Sequence, residues 1–149
     1  MGIFSKRNNR DARPAPSNPF KFAPNGPEAA AAESRDALIA GDPQRGFERA
    51  VKSVDRLHDF YVFERAVNRR PSADDQPILD GLVTALGALM AVDPSGQDAR
   101  EGVREATHRL RTISTSAEER REEATRYRET LDRLSEVAPM IGVDDIYWH

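Results

Sequence analysis

Two acid–histidine pairs, each with a spacing of three residues, are the side chains of this sequence that could bind a metal. Asp55 precedes His58, and Glu105 precedes His108. Helices that carry this spacing build two-metal sites when two further helices each add a carboxylate. The second pair lies off the apolar face of its own helix. We therefore expect a solvated pair there and a core-edge histidine at His58, and a helical metalloprotein is the alternative.

The sequence offers no other recognisable reaction chemistry. It has no cysteine, which excludes disulfides, cysteine nucleophiles and cysteine-based metal sites. It has no glycine-rich phosphate loop and no nucleophile motif with supporting residues. We therefore expect a protein without enzymatic activity or cofactor. The lack of cysteine also fits a reducing compartment, so we expect the cytoplasm, or a virion if the chain comes from a phage.

Basic residues are concentrated in two places. Arg45, Arg49, Lys52 and Arg56 are spaced to share one face of a helix. Such a stripe could follow phosphates or an anionic membrane, but nearby acids favour an ordinary solvated face. The net charge of −3 argues against a dedicated nucleic-acid binder.

The second basic region is the N-terminal segment, residues 1–26, called the arm below. Four prolines favour extended backbone, and five basic residues outweigh one acid. Its aromatic anchors are Phe4, Phe20 and Phe22. We expect an extended arm that becomes ordered by docking on a partner. Weak contact of residues 1–10 with a membrane surface is the alternative, although Lys6 departs from the myristoylation pattern.

For the rest of the chain, residues 27–149, the sequence predicts one domain, an all-α bundle of about four helices. Prolines and glycines mark the helix ends, and no segment alternates as strands do. We predict helices at about 27–40, 43–69, 75–92 and 97–138. The third is apolar on nearly all sides, so Leu82, Leu86 and Leu89 should be among the most buried residues.

The fourth helix carries a seven-residue repeat of apolar side chains. The repeat includes Tyr127, Leu131 and Leu134 in its distal half. An uninterrupted helix over 98–138 would extend roughly 60 Å, far beyond its own domain, and its coiled-coil-like seam would need a second copy. The alternative is a break, because Thr112–Ser116 is poor helix material and Ser116 begins a capping box.

Further aromatic residues are candidates for partner contacts. Phe60 and Phe63 lie off the main apolar face of the second helix, where burial in the core is the favoured interpretation and an interface the alternative. Tyr147 and Trp148 form an aromatic C-terminal end that should dock on the bundle or in a partner's groove.

Together these features favour a non-catalytic helical interaction or assembly protein that self-associates through its C-terminal helix. The chain has 19 arginines against 3 lysines, a bias typical of GC-rich coding. One specific form of the hypothesis is therefore a structural or assembly component of a bacteriophage or bacterial complex. A peripheral membrane adaptor and a helical metalloprotein are the alternatives.

Overall fold

The computed structural model of the chain describes residues 26–63, 75–116 and 121–141. This part contains helices and no strand, which confirms the all-α prediction there. The helices are α1 (Pro27–Ile39), α2 (Pro43–Phe63), α3 (Gln76–Val92), α4 (Arg100–Ser116) and α5 (Arg121–Val137), followed by a 3-10 turn, Pro139–Ile141. None of these helices combines the length and the apolar character that crossing a membrane requires.

Local sequence signals explain where α1 and α2 begin and end. Pro27 occupies the first turn of α1, where its missing N–H costs no hydrogen bond. Gly41 follows α1 with a φ of +81°, a left-handed conformation that glycine adopts without a side-chain clash. The Asp42 carboxylate then accepts a 3.1 Å hydrogen bond from the Arg45 N–H and caps the start of α2.

The central element is α2, which packs against α1, α3 and α4, while α5 packs against α3 and α4. Ser34 of α1 donates a 2.7 Å hydrogen bond to the Gly46 carbonyl of α2. A salt bridge joins Arg133 of α5 to Asp80 of α3 at 2.8 Å. The core lies between these helices, and Leu82, Leu86 and Leu89 of α3 are all buried in it, as the sequence predicts.

The prediction of one long C-terminal helix is wrong. The segment forms two helices that pack against each other, α4 ending at Ser116 and α5 beginning at Arg121. The alternative interpretation, two helices, is the correct one, but the Thr- and Ser-rich stretch is itself helical and forms the end of α4, where the Thr112 and Thr115 hydroxyls donate to the carbonyls of His108 and Arg111. The bundle consequently has five helices rather than about four in the described residues.

This pairing buries the heptad seam inside one chain. Tyr127, Leu131 and Leu134 have exposed fractions of 0%, 4% and 0%. Phe60 is likewise buried in the core at 2%. We therefore revise the assignment of Tyr127, Leu131 and Leu134 as partner contacts: their own neighbours already cover them, and the repeat is explained without a second copy. For Phe60 the favoured interpretation, burial in the core, is confirmed, and the alternative, a partner contact, is dropped.

A buried hydrogen-bond cluster joins three helices at one end of the bundle. Asp75, immediately before α3, is fully buried, and its carboxylate accepts hydrogen bonds from Tyr61 of α2 and from Tyr127 of α5, the latter at 2.9 Å. Burial and the charge of Asp75 raise the pKa of Tyr127 well above its ordinary value. Tyr127 therefore remains a hydrogen-bond donor to this carboxylate.

Several predicted features lie outside the described residues. They are the arm before Gly26 with Phe4, Phe20 and Phe22, the extension of the second helix over 64–69, and the C-terminal Tyr147 and Trp148. The backbone of Phe63 ends α2, but its side chain is also outside the description.

Candidate interaction groove between α2 and α4

A groove with an apolar floor lies where α2 approaches the N-terminal half of α4. The floor is formed by Phe47 and Val51, which are 2% and 6% exposed. The two helices come close here because α4 has glycine at position 102. A Cβ at Gly102 would lie only 2.5 Å from Cε2 of Phe47, so any larger residue would displace the ring.

The rim of the groove is strongly acidic. The groove has a volume of about 290 Å³, which accommodates a few side chains of a bound segment. Five of its lining residues are carboxylates and one is a lysine. The lining residues are Phe47, Glu48, Val51, Lys52, Asp55, Asp98, Glu101, Gly102 and Glu105.

At one end of the groove, the first acids of the two acid–histidine pairs meet. Asp55 projects from α2 and Glu105 from α4. A hydrogen bond shared with Asp55, partial burial and the negative charge of Asp55 raise the pKa of Glu105 from 4.5 to about 7. Near neutral pH the pair therefore holds one proton part of the time, with the protonated Glu105 donating to Asp55.

Arg109 fixes the orientation of this pair from one helical turn away. Its Nε donates to the Asp55 carboxylate at 3.2 Å, and its Nη1 lies 3.5 Å from Nδ1 of His58. Burial and the positive charge of Arg109 lower the pKa of His58, although a hydrogen bond and the charge of Asp59 oppose them. The lowered pKa keeps His58 predominantly neutral at physiological pH, with Arg109 and Asp59 both close to its Nδ1.

This geometry does not assemble the metal site that the spacing could have provided. Arg109 occupies the place beside Asp55 and His58 that a cation would need, and His108 is exposed to solvent. Within residues 26–63, 75–116 and 121–141, no group of three His, Asp or Glu side chains is arranged to hold a metal ion. The pairs are therefore better described as part of a hydrogen-bonded charge cluster.

Other carboxylates of the rim remain available to a ligand. The side chains of Glu48, Asp98 and Glu101 are exposed, and none forms a salt bridge with another residue of the described part of the chain. Among the described residues that line the groove, Lys52 is the one cation. The basic stripe seen in the sequence is further weakened because Arg49 pairs with Glu33 of α1.

The carboxylate pair should make the stability of the protein depend on pH. The folded state binds the Glu105 proton more tightly than the unfolded state, so stability is lost as the pH rises from about 4.5 to about 7. In Glu105→Gln this loss is absent. Because the site is partly solvated, we expect a gain in Tm of about 1–3 °C above pH 7 and little gain near pH 4.5.

Thermal denaturation of both proteins across this pH range would measure the effect. Glu101→Gln is the matched control, since Glu101 is exposed on the same helix one turn earlier. A difference between Glu105→Gln and wild type that stays constant with pH would contradict the shared proton.

Sequence reasoning found parts of the groove but not the groove itself. It identified the two acids of the pairs, Asp55 and Glu105, and it considered the other acids of the second helix only as neighbours of the basic stripe. It did not identify Asp98, Glu101 or the close approach of Phe47 to Gly102. A glycine in an otherwise ordinary amphipathic helix was the available signal, because it often marks close packing.

Comparison of the chain with protein-family models, with curated proteins and with solved structures found no significant match.

Proposed function

We propose that the protein is a non-catalytic helical interaction and assembly protein whose α2–α4 groove binds a basic segment of a partner protein. The observation that carries this proposal is a groove lined by exposed carboxylates, Glu48, Asp98 and Glu101, that lack salt-bridge partners within the described residues. Charged groups around a groove steer a partner of opposite charge and fix its orientation.

The charges indicate the chemistry of the bound segment. Glu48, Asp98 and Glu101 would repel an anionic membrane or a nucleic-acid backbone, and they would attract arginine or lysine. Each exposed ion pair contributes only about 0.2–1 kcal/mol. Binding therefore requires several such pairs at once, because the floor residues Phe47 and Val51 are almost completely covered by their own neighbours and offer little apolar surface.

The rigid bundle supports such a role. The groove is formed by two helices that are held by core packing and by the Arg109–Asp55 ion pair. A preformed site loses little conformational entropy when it binds an extended segment. The heptad seam, in contrast, is buried within the chain, so any assembly of this protein must use another surface.

Fluorescence anisotropy with a labelled decapeptide of alternating arginine and phenylalanine tests the proposal. We expect saturable binding, weakened about tenfold in Glu48→Lys/Glu101→Lys because two attractive charges become repulsive. A matched control is Asp36→Lys/Glu136→Lys, which changes the net charge equally at exposed positions on α1 and α5. A decapeptide of alternating glutamate and phenylalanine should not bind.

Two results would contradict the groove as the binding site. Equal weakening in the two double variants would show that the peptide senses only the net charge of the protein. Binding of both peptides with similar affinity would show that apolar contact alone is responsible.

A further inference from the structure

The chain itself contains a segment with the chemistry that the groove selects. The arm carries Lys6, Arg7, Arg10, Arg13 and Lys21 against a single acid. The remainder of the chain has a net charge of −7, because the whole chain has −3. Phenylalanines at positions 20 and 22 flank the last of these cations. The arm thus supplies the basic residues that the acidic rim of the groove attracts.

The arm is also long enough to reach the groove of its own molecule. An extended chain advances about 3.3 Å per residue, so the 25 residues before Gly26 can span about 80 Å. The longest helix, α2, has 21 residues and is only about 30 Å long. Because the arm is joined to the bundle at Pro27, its local concentration at the groove is on the order of millimolar.

We infer that the basic N-terminal arm is an intramolecular occupant of the α2–α4 groove and competes there with the partner segment. This inference rests on the proposed function, since it assigns a second ligand to the same groove. The competition sets a threshold: a partner must bind well enough to displace a tethered segment. Neutralising the arm should therefore increase the apparent affinity of the groove for an external basic peptide.

The full-length chain with Arg7→Glu/Arg10→Glu provides the test. This variant brings the charge of the arm to zero and leaves every residue of the groove unchanged. In the anisotropy assay with the arginine–phenylalanine decapeptide, we expect about tenfold tighter binding than for wild type, as the competitor is removed. Arg35→Glu/Arg128→Glu is the matched control, with the same change of net charge at exposed positions of α1 and α5.

The possible results separate the arm from the groove. An equal gain in the control variant, or no gain in the arm variant while wild type still binds the peptide, would overturn the arm as a competitor and leave the proposed function intact. A lack of binding by wild type and by both variants would overturn the proposed function and this inference together. A gain that disappears when the protein is diluted would assign the arm of a second copy to the groove and refute intramolecular docking.

Limited trypsin digestion gives a second readout that does not depend on the peptide. We expect cleavage after Lys6, Arg7 and Arg10 to be several-fold faster in Glu48→Lys/Glu101→Lys than in wild type or in Asp36→Lys/Glu136→Lys, because the altered groove no longer shields the arm. Equal cleavage rates in all three proteins would contradict docking of the arm.

Discussion

Replacing Leu131 and Leu134 together by aspartate is expected to unfold the protein. Both side chains are buried inside the single chain, with 4% and 0% of their surface exposed. Each substitution would place an unpaired charge in the core, which costs several kcal/mol. The sum approaches the whole stability of a typical domain, about 5–15 kcal/mol.

Circular dichroism at 25 °C would show this as loss of the helical signal. The matched control is Arg128→Asp/Glu129→Asp, at two exposed positions of the same helix, and it should remain folded. A double variant that keeps its helical signal and only changes from dimer to monomer would contradict the buried seam. It would restore the original hypothesis that these leucines join two chains.

Leu86→Ala is expected to produce the second large effect. Leu86 lies in the middle of α3 and is completely buried, so the substitution leaves a cavity among the surrounding helices. Such changes cost about 2–5 kcal/mol, which lowers Tm by roughly 5–20 °C in a chain of this size. Thermal and urea denaturation would measure both quantities.

Val92→Ala on the same helix is the control for Leu86→Ala, because Val92 is 65% exposed. Its expected effect is within about 0.5 kcal/mol of zero. Similar melting temperatures for the two variants would place Leu86 outside the core and contradict the packing of α3.

The helical class and most helix ends could be predicted because local chemistry determines them. Pro27 and Pro43 stand at the starts of α1 and α2, Pro139 follows the end of α5, and the capping residue Asp42 acts as its position suggests. The partner of the C-terminal seam could not be predicted in the same way. A repeat of seven shows that one stripe of a helix is buried, but a helix hairpin and a dimer produce the same pattern.

The candidate groove depends on contacts between distant parts of the sequence. Spacing alone pairs Glu105 with Arg109, which lie four residues apart on one helix. In the structure Arg109 binds Asp55, and the proximity of that same carboxylate raises the pKa of Glu105. The crossing of α2 and α4 decides these partners, and that crossing follows from the fit of Phe47 against Gly102. No local pattern contains this information.

The Asp75 cluster has a consequence for how the bundle opens. Its carboxylate receives hydrogen bonds from Tyr61 on α2 and Tyr127 on α5, and it stands at the start of α3. If α5 separated alone, the buried carboxylate would lose one of its donors in a medium that solvates charge poorly. Small, independent openings are therefore suppressed at this end, and α2, α3 and α5 should behave as one cooperative unit whose amides exchange with solvent together.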